Sequence, residues 1–217
     1  MYFCTDSRNN QINYTLFNIP MSDTYKTISS PAEGIYKEKG SKFLSFAIPV
    51  KTAEEIKEII KEYRKQYYDA RHVCYAYMLG AEHKDFRAND DGEPSGTAGR
   101  PILGQINSRE LTDILVIVVR YFGGVLLGTG GLVVAYKEAT ANALNQAEII
   151  EKTVDEVISV RFDYLLMNDV MRIIKDTGAQ ITEQTFDNNC CLILTARKQD
   201  SELIKTKLNK ILGVSLD

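Results

Sequence analysis

Apolar positions change period several times along this chain, and each change marks an element. In "FLSFAIPV" the residues Leu44, Phe46, Ile48 and Val50 alternate with their neighbours. That is the spacing of a half-buried strand, entered from a turn at Gly40 and Ser41. "TAEEIKEIIKEYRKQY" then places Ile56, Ile59, Ile60, Tyr63 and Tyr67 at helical spacing, with Thr52 as the cap and acids in the first turn. An amphipathic helix lying on a sheet is expected. "HVCYAYML" and "ILVIVVRYF" are apolar on both faces, which predicts interior strands. Between them "AEHKDFRANDDGEPSGTAGRP" is a long polar loop, and loops of that length in compact domains are usually functional. "GLVVAYKEATANALNQAEII" predicts a helix with Leu132, Tyr136, Ala139, Ala143 and Ala147 along one side.

The pattern restarts near Thr153. "VISVRFDYLL" predicts a strand, "NDVMRIIKDTGA" a helix with Val170, Ile173 and Ile174 inward, and "QITEQTF" and "CCLILTARK" two strands across a "DNN" turn. "DSELIKTKLNKIL" predicts a second helix, with "GVSLD" as a last strand. The order βαββα is that of a ferredoxin-like split βαβ unit. The expected division is therefore an α+β protein of two domains, residues 21–153 and 154–217. Residues 1–20 show no period and are expected to form a loosely held extension before a natural start at Met21.

Composition narrows the class. With 44% hydrophobic and 25% charged residues in 217, the chain reads as an ordinary globular protein. A formal net charge of −3 leaves room only for a local nucleic-acid patch. Cys4, Cys74, Cys190 and Cys191 form no CxxC, so free thiols are expected, in a reducing, cytoplasmic setting. No apolar run approaches the roughly 20 residues of a membrane span.

Glycine is concentrated in "GEPSGTAGRPIL" and "RYFGGVLLGTGGLVVAY". A Gly-rich turn that opens a helix offers free N–H groups to an anion. The nucleotide fingerprints fail, however. Val133 stands where the third glycine of GxGxxG belongs after Gly128 and Gly130, and no P-loop Lys follows. Asp90, Asp91, Glu93 and His72, with Ser95 and Thr97 as hydroxyls, are the candidates for hydrolase or peptidase chemistry, yet no pair has a diagnostic spacing. The simpler reading makes them turn caps in a polar loop. No cofactor and no metal are expected. Tyr75, Tyr77 and Tyr121 read as core aromatics.

"KGSKFLSF", "RHVCYAY", "DDGEPSGTAGRPIL" and "VVRYFGGVLLGTGGLVVAYKEA", in that order, resemble the motif set of the IMPACT family in its two-domain bacterial form, the YigZ type. The resemblance implies an amino-terminal α/β sandwich similar to the second domain of a small-subunit ribosomal protein and to domain IV of elongation factor G. It implies a ferredoxin-like carboxy-terminal domain similar to the last domain of that factor. It also implies translational control rather than catalysis, with RNA, the ribosome or a ribosome-associated protein as partner. Relatives commonly carry Lys in "GGVKLG" and Arg in "GLVRAY", where this chain has Leu126 and Val134. The binding surface expected on this basis comprises Lys42, His72, Asp91, Glu93, Gly96, Thr97, Gly99, Arg100, Arg120, Tyr121, Gly123, Gly124, Gly128, Gly130, Gly131 and Lys137. Arg120, Lys137, Arg100 and Lys42 are left to supply positive charge. An alternative structural role for Arg120 is to hold the long loop through an acid such as Asp90 or Asp91.

Overall fold

The structure is a computed structural model that describes residues 23–186 and 189–216. The segment 1–20 lies outside the described residues, as do positions 187 and 188 of the "DNN" turn. Two short strands, β1 (Thr24–Ile28) and, much later, β7 (Ile149–Thr153), form a separate antiparallel pair. Between them runs a five-stranded antiparallel sheet built from β2 (Ala32–Glu38), β3 (Ser41–Pro49), β4 (His72–Leu79), β5 (Asp85–Asn89) and β6 (Ile114–Tyr121), in the order β2-β3-β6-β4-β5.

β6 is the centre of this sheet because "ILVIVVRY" carries no polar side chain before Arg120, and all its residues up to Arg120 are buried. Its odd residues Leu115, Ile117 and Val119 share a core with Ile56 of α1 (Ala53–Gln66), and Tyr63 and Tyr67 pack on that core. Its even residues Val116 and Val118 face α2 (Gly99–Ser108) and α3 (Gly128–Gln146), meeting Ile102, Ile106, Leu132, Tyr136 and Ala139. Helices thus cover both faces, and period 2 along one strand decides which core each residue joins. Thr52 caps α1, its hydroxyl accepting from Glu55 N at 3.2 Å.

Three expectations change. β3 is buried on both faces, with Phe43 and Ala47 opposite Phe46, because it sits beside β6 in the sheet interior. The long polar stretch contains β5 and the first turn of α2, which shortens the true loop to residues 90–98. The α3 helix stops at Gln146, and "II" at 149 and 150 begins β7, since pairing with β1 sets Ile149 against Ile28 and Ile150 against Thr27, from the far end of the domain sequence.

From residue 155 a third sheet follows, made of β8 (Asp155–Asp163), β9 (Gln180–Thr185), β10 (Asn189–Arg197) and β11 (Ser215–Leu216) in the order β11-β8-β10-β9. α4 (Met167–Thr177) and α5 (Lys198–Leu208) pack Val170, Ile174, Ile204 and Leu208 against Ile158, Val160, Leu192 and Leu194. These residues share no buried cluster with the first half. Among the described residues no helix is long and apolar enough to cross a membrane.

Candidate functional site

The β3–β6–β4 register lines up Phe43, Arg120 and His72 across three strands. Directly opposed residues in antiparallel strands point to the same face. Arg120 continues the even-numbered face of β6 and is therefore carried into the core side, where it is 5% exposed. A guanidinium there requires an anion. Glu93 supplies it, Arg120 Nη1 donating to Glu93 Oε1 at 2.6 Å. The same oxygen accepts from Tyr136 Oη at 2.8 Å. Arg120 Cζ also lies 5.4 Å from the centroid of the Phe43 ring and 5.7 Å from that of Phe122, so the cation is held between two aromatic faces.

The loop that delivers Glu93 is shaped by its own carboxylates. Asp90 Oδ1 accepts from Ala98 N at 3.0 Å and Gly99 N at 2.8 Å, and Oδ2 accepts from Gly96 N at 2.8 Å. It caps the start of α2, whose N-cap residue, Ala98, has no side chain able to do so. Asp91 Oδ1 pairs with Arg64 of α1 at 2.6 Å, and Oδ2 accepts from Val73 N at 2.7 Å. His72 Nδ1 lies 2.8 Å from the carbonyl oxygen of Asp91, so that nitrogen carries the hydrogen in the neutral ring. Nε2 is left facing Glu93 Oε1 at 3.8 Å.

Burial alone pushes the Asp90 carboxyl up, but donation from Gly96, Gly99 and Ala98, with the charge of Arg100, leaves it below the usual value of 3.8. The folded carboxyl thus titrates below the unfolded one. Its stabilising effect is complete above the unfolded value and is lost as pH falls through the folded one. Asp90→Asn is expected to cost about 1–2 kcal/mol at pH 7 and to flatten the decline in urea midpoint below pH 3.8. An acid limb equally steep in both proteins would contradict this.

Cys74 and Tyr136 complete the buried cluster and were missed as polar partners, since a thiol in an apolar strand and a tyrosine in a helical stripe both read as core. Cys74 Sγ lies 3.0 Å from the carbonyl oxygen of Asp90 and 3.3 Å from Tyr136 Oη. Burial pushes both groups up, far from any ionisation near neutral pH. Tyr136 is therefore a neutral donor to Glu93.

Beside this cluster a cleft of about 340 Å³ opens, lined by Arg71, His72, Glu93, Pro94, Arg120, Phe122, Leu126, Leu127 and Leu132 together with Gly128 and Thr129. The start of α3 borders it, and no side chain caps that helix. Of its lining Phe122 (40%) and Leu126 (83%) are exposed, and so are Val125 (51%) in the same loop and Val134 (52%) on the second turn of α3.

The sixteen residues proposed from sequence therefore separate by environment. His72, Glu93, Arg120 and Gly128 meet at the cleft. Lys42, Arg100 and Lys137 are exposed on three different elements, β3, α2 and α3. Tyr121 donates from its hydroxyl to Asp69 at 3.0 Å. Thr97 is buried, its hydroxyl donating to the Pro94 carbonyl oxygen at 2.7 Å, and Gly99 is buried under Asp90. Gly123 abuts Gly40, whereas Gly124, Gly128 and Gly130 have open space around them. Two expectations are corrected. Arg120 is largely enclosed rather than presented to solvent and holds the long loop through an acid, as its structural alternative expected, that acid being Glu93 because Asp90 and Asp91 are occupied by α2 and by Arg64. The four-residue hydrolase constellation does not assemble, since only His72 and Glu93 reach the cleft.

The Impact N-terminal domain matches residues 39–144, which contain the whole cluster and cleft. The chain is also 33% identical over 169 residues to the IMPACT family member YvyE of Bacillus subtilis (strain 168), covering 78% of each chain. The protein belongs to the IMPACT family. Within it, YigZ of Escherichia coli (strain K12) is 32% identical over 160 residues, covering 73% of this chain and 78% of that one. A crystal structure of a hypothetical protein superposes with a TM-score of 0.69 at 27% identity, covering 89% of this chain and 96% of the other. The likeness to that structure thus extends beyond residues 39–144.

Proposed function

We propose that this IMPACT protein is a non-enzymatic, translation-linked regulator of the cytoplasm that docks a ribosome-associated protein on the surface around the start of α3. The observation that carries this is the exposed apolar pair Phe122 and Leu126 beside a helix start that no side chain caps, with Val125 exposed in the same loop and Val134 on the second turn of α3. Apolar side chains crowded on one surface favour a protein partner. RNA is the weaker reading, because Leu126 and Val134 stand where relatives commonly carry cations. The contacts of buried Glu93 and of partly buried Asp90 and Asp91 support a structural role for the loop instead of hydrolysis.

The finer fold assignment belongs to the same proposal, with a ferredoxin-like unit from residue 154. The sheet order β11-β8-β10-β9 supports it, and an experimental structure with another strand order would remove it. The function is tested by recovering the tagged full chain and its Leu126→Asp variant from lysate, with and without RNase. RNase-resistant recovery of a ribosome-associated protein, reduced at least about fivefold by the substitution, is expected from burying a charge in an apolar contact. Recovery that RNase abolishes, or that the variant leaves unchanged, overturns the reading.

A further inference from the structure

We infer that the cleft beside α3 takes the carboxy-terminal residue of a partner chain, with its free carboxylate against the helix start and its apolar side chain against Leu126, Leu127 and Leu132. This rests on the docking reading above and specifies what is docked. Charge selects an anion. The cleft is lined by the guanidiniums of Arg71 and Arg120, opposed by the single carboxylate of Glu93, and it adjoins the positive end of α3. Arg120 is more than nine-tenths buried and lines the cleft, yet its Nε has no hydrogen-bond partner among the described residues, and the bond from Nη1 to Glu93 satisfies only part of the guanidinium. Two full positive charges and a helix end against one negative charge match a monoanion such as a carboxylate.

Shape selects the bearer of that anion. Phe122, Leu126, Leu127, Leu132 and Pro94 form the rest of the wall, so most of the lining is apolar. A volume of about 340 Å³ must therefore hold both a charged group and a hydrocarbon. A chain terminus places the two on one Cα atom. An internal Asp or Glu would need a neighbouring residue, and more backbone, to supply the hydrocarbon. Gly128 and Thr129 bring the first turn of α3, whose N–H groups no side chain caps, to the wall of the cleft, and nothing lies within 4 Å of a Cβ built at Gly128. Backbone N–H capture of a terminal carboxylate is an established recognition mode.

The test titrates the full ¹⁵N-labelled chain with acetyl-Leu-Leu as the free acid, the same peptide as its carboxamide, acetyl-Leu-Glu-Leu-carboxamide, and a hexauridylate. The free acid is expected to shift the amide signals of Gly128 and Thr129, which line the cleft, with a Kd of ~1 mM, the scale for so small a ligand. The carboxamide should bind at least about tenfold more weakly. Arg71→Gln, at an exposed position, should weaken the free acid about fivefold without altering the fold. Equal binding of acid and carboxamide, tighter binding of the Glu peptide, or displacement of the acid by the hexauridylate overturns the inference, as does no shift with any probe. If no probe binds while Leu126→Asp still loses its partner from lysate, the inference falls and the docking reading stands. If the wild type recovers nothing from lysate, the docking reading falls by itself.

Discussion

Replacing Glu93 with alanine is expected to lower the stability of the folded protein by about 3–5 kcal/mol. The change removes the anion that faces Arg120 across 2.6 Å and leaves a guanidinium enclosed between Phe43 and Phe122. It also strips Tyr136 of its acceptor. A buried charge without its partner is far more costly than the pair was stabilising, since desolvation of the cation persists when attraction is gone. Urea unfolding at pH 7 reads the effect as a lowered midpoint. The control is the double variant Glu93→Leu, Arg120→Met, which removes both charges and should recover at least half of the loss. A midpoint unchanged in Glu93→Ala would show that the pair does not anchor the loop to the sheet.

Gly123→Ala should cost about 3 kcal/mol, near the upper end for overpacking. A Cβ on Gly123 would run into the backbone of Gly40 and Ser41, where the turn joining β2 to β3 meets the loop after β6. Gly40 cannot retreat easily, being held at φ +79 and facing the Gly123 carbonyl oxygen in return. Neither contact is with a side chain that could rotate away. The loop from 122 to 127 must therefore shift, and with it the apolar surface at Phe122 and Leu126. Gly130→Ala is the contrasting variant. Its Cβ meets nothing within 4 Å, and a helix gains up to about 1 kcal/mol from alanine over glycine. Thermal unfolding of both should separate a packing glycine from an open one. Similar costs in the two would mean that the close approach at Gly40 is not what constrains position 123.

The glycine-rich stretches thus serve two ends. Gly123 and Gly99 let backbones approach: a Cβ on Gly99 would sit 2.5 Å from Asn89 N, and a side chain there would force α2 away from β5. Gly128 and Gly130 keep the start of α3 uncovered. Composition alone does not distinguish these uses, because both appear in the chain as the same residue.

Local order determined much of this protein. Alternation, unbroken apolar runs and helical spacing located the strands β3, β4, β6, β8, β9 and β10 and the helices α1, α3, α4 and α5, including the cap at Thr52, because these signals need only a few neighbouring residues. The motif order over "KGSKFLSF" to "VVAYKEA" identified the IMPACT family, as the match over residues 39–144 and the relatives show. What it left open depends on contacts between distant positions. The β1–β7 pair joins residues 24–28 to 149–153, and neither strand has a decisive pattern until the other is beside it. The same holds for the site. Asp90, Asp91 and Glu93 are neighbouring carboxylates in one polar run, equally suited by sequence to pair with Arg120. Only the fold gave Asp90 to the start of α2, Asp91 to Arg64 and Glu93 to Arg120, because each carboxylate goes where the chain path places an unmatched donor within hydrogen-bonding reach.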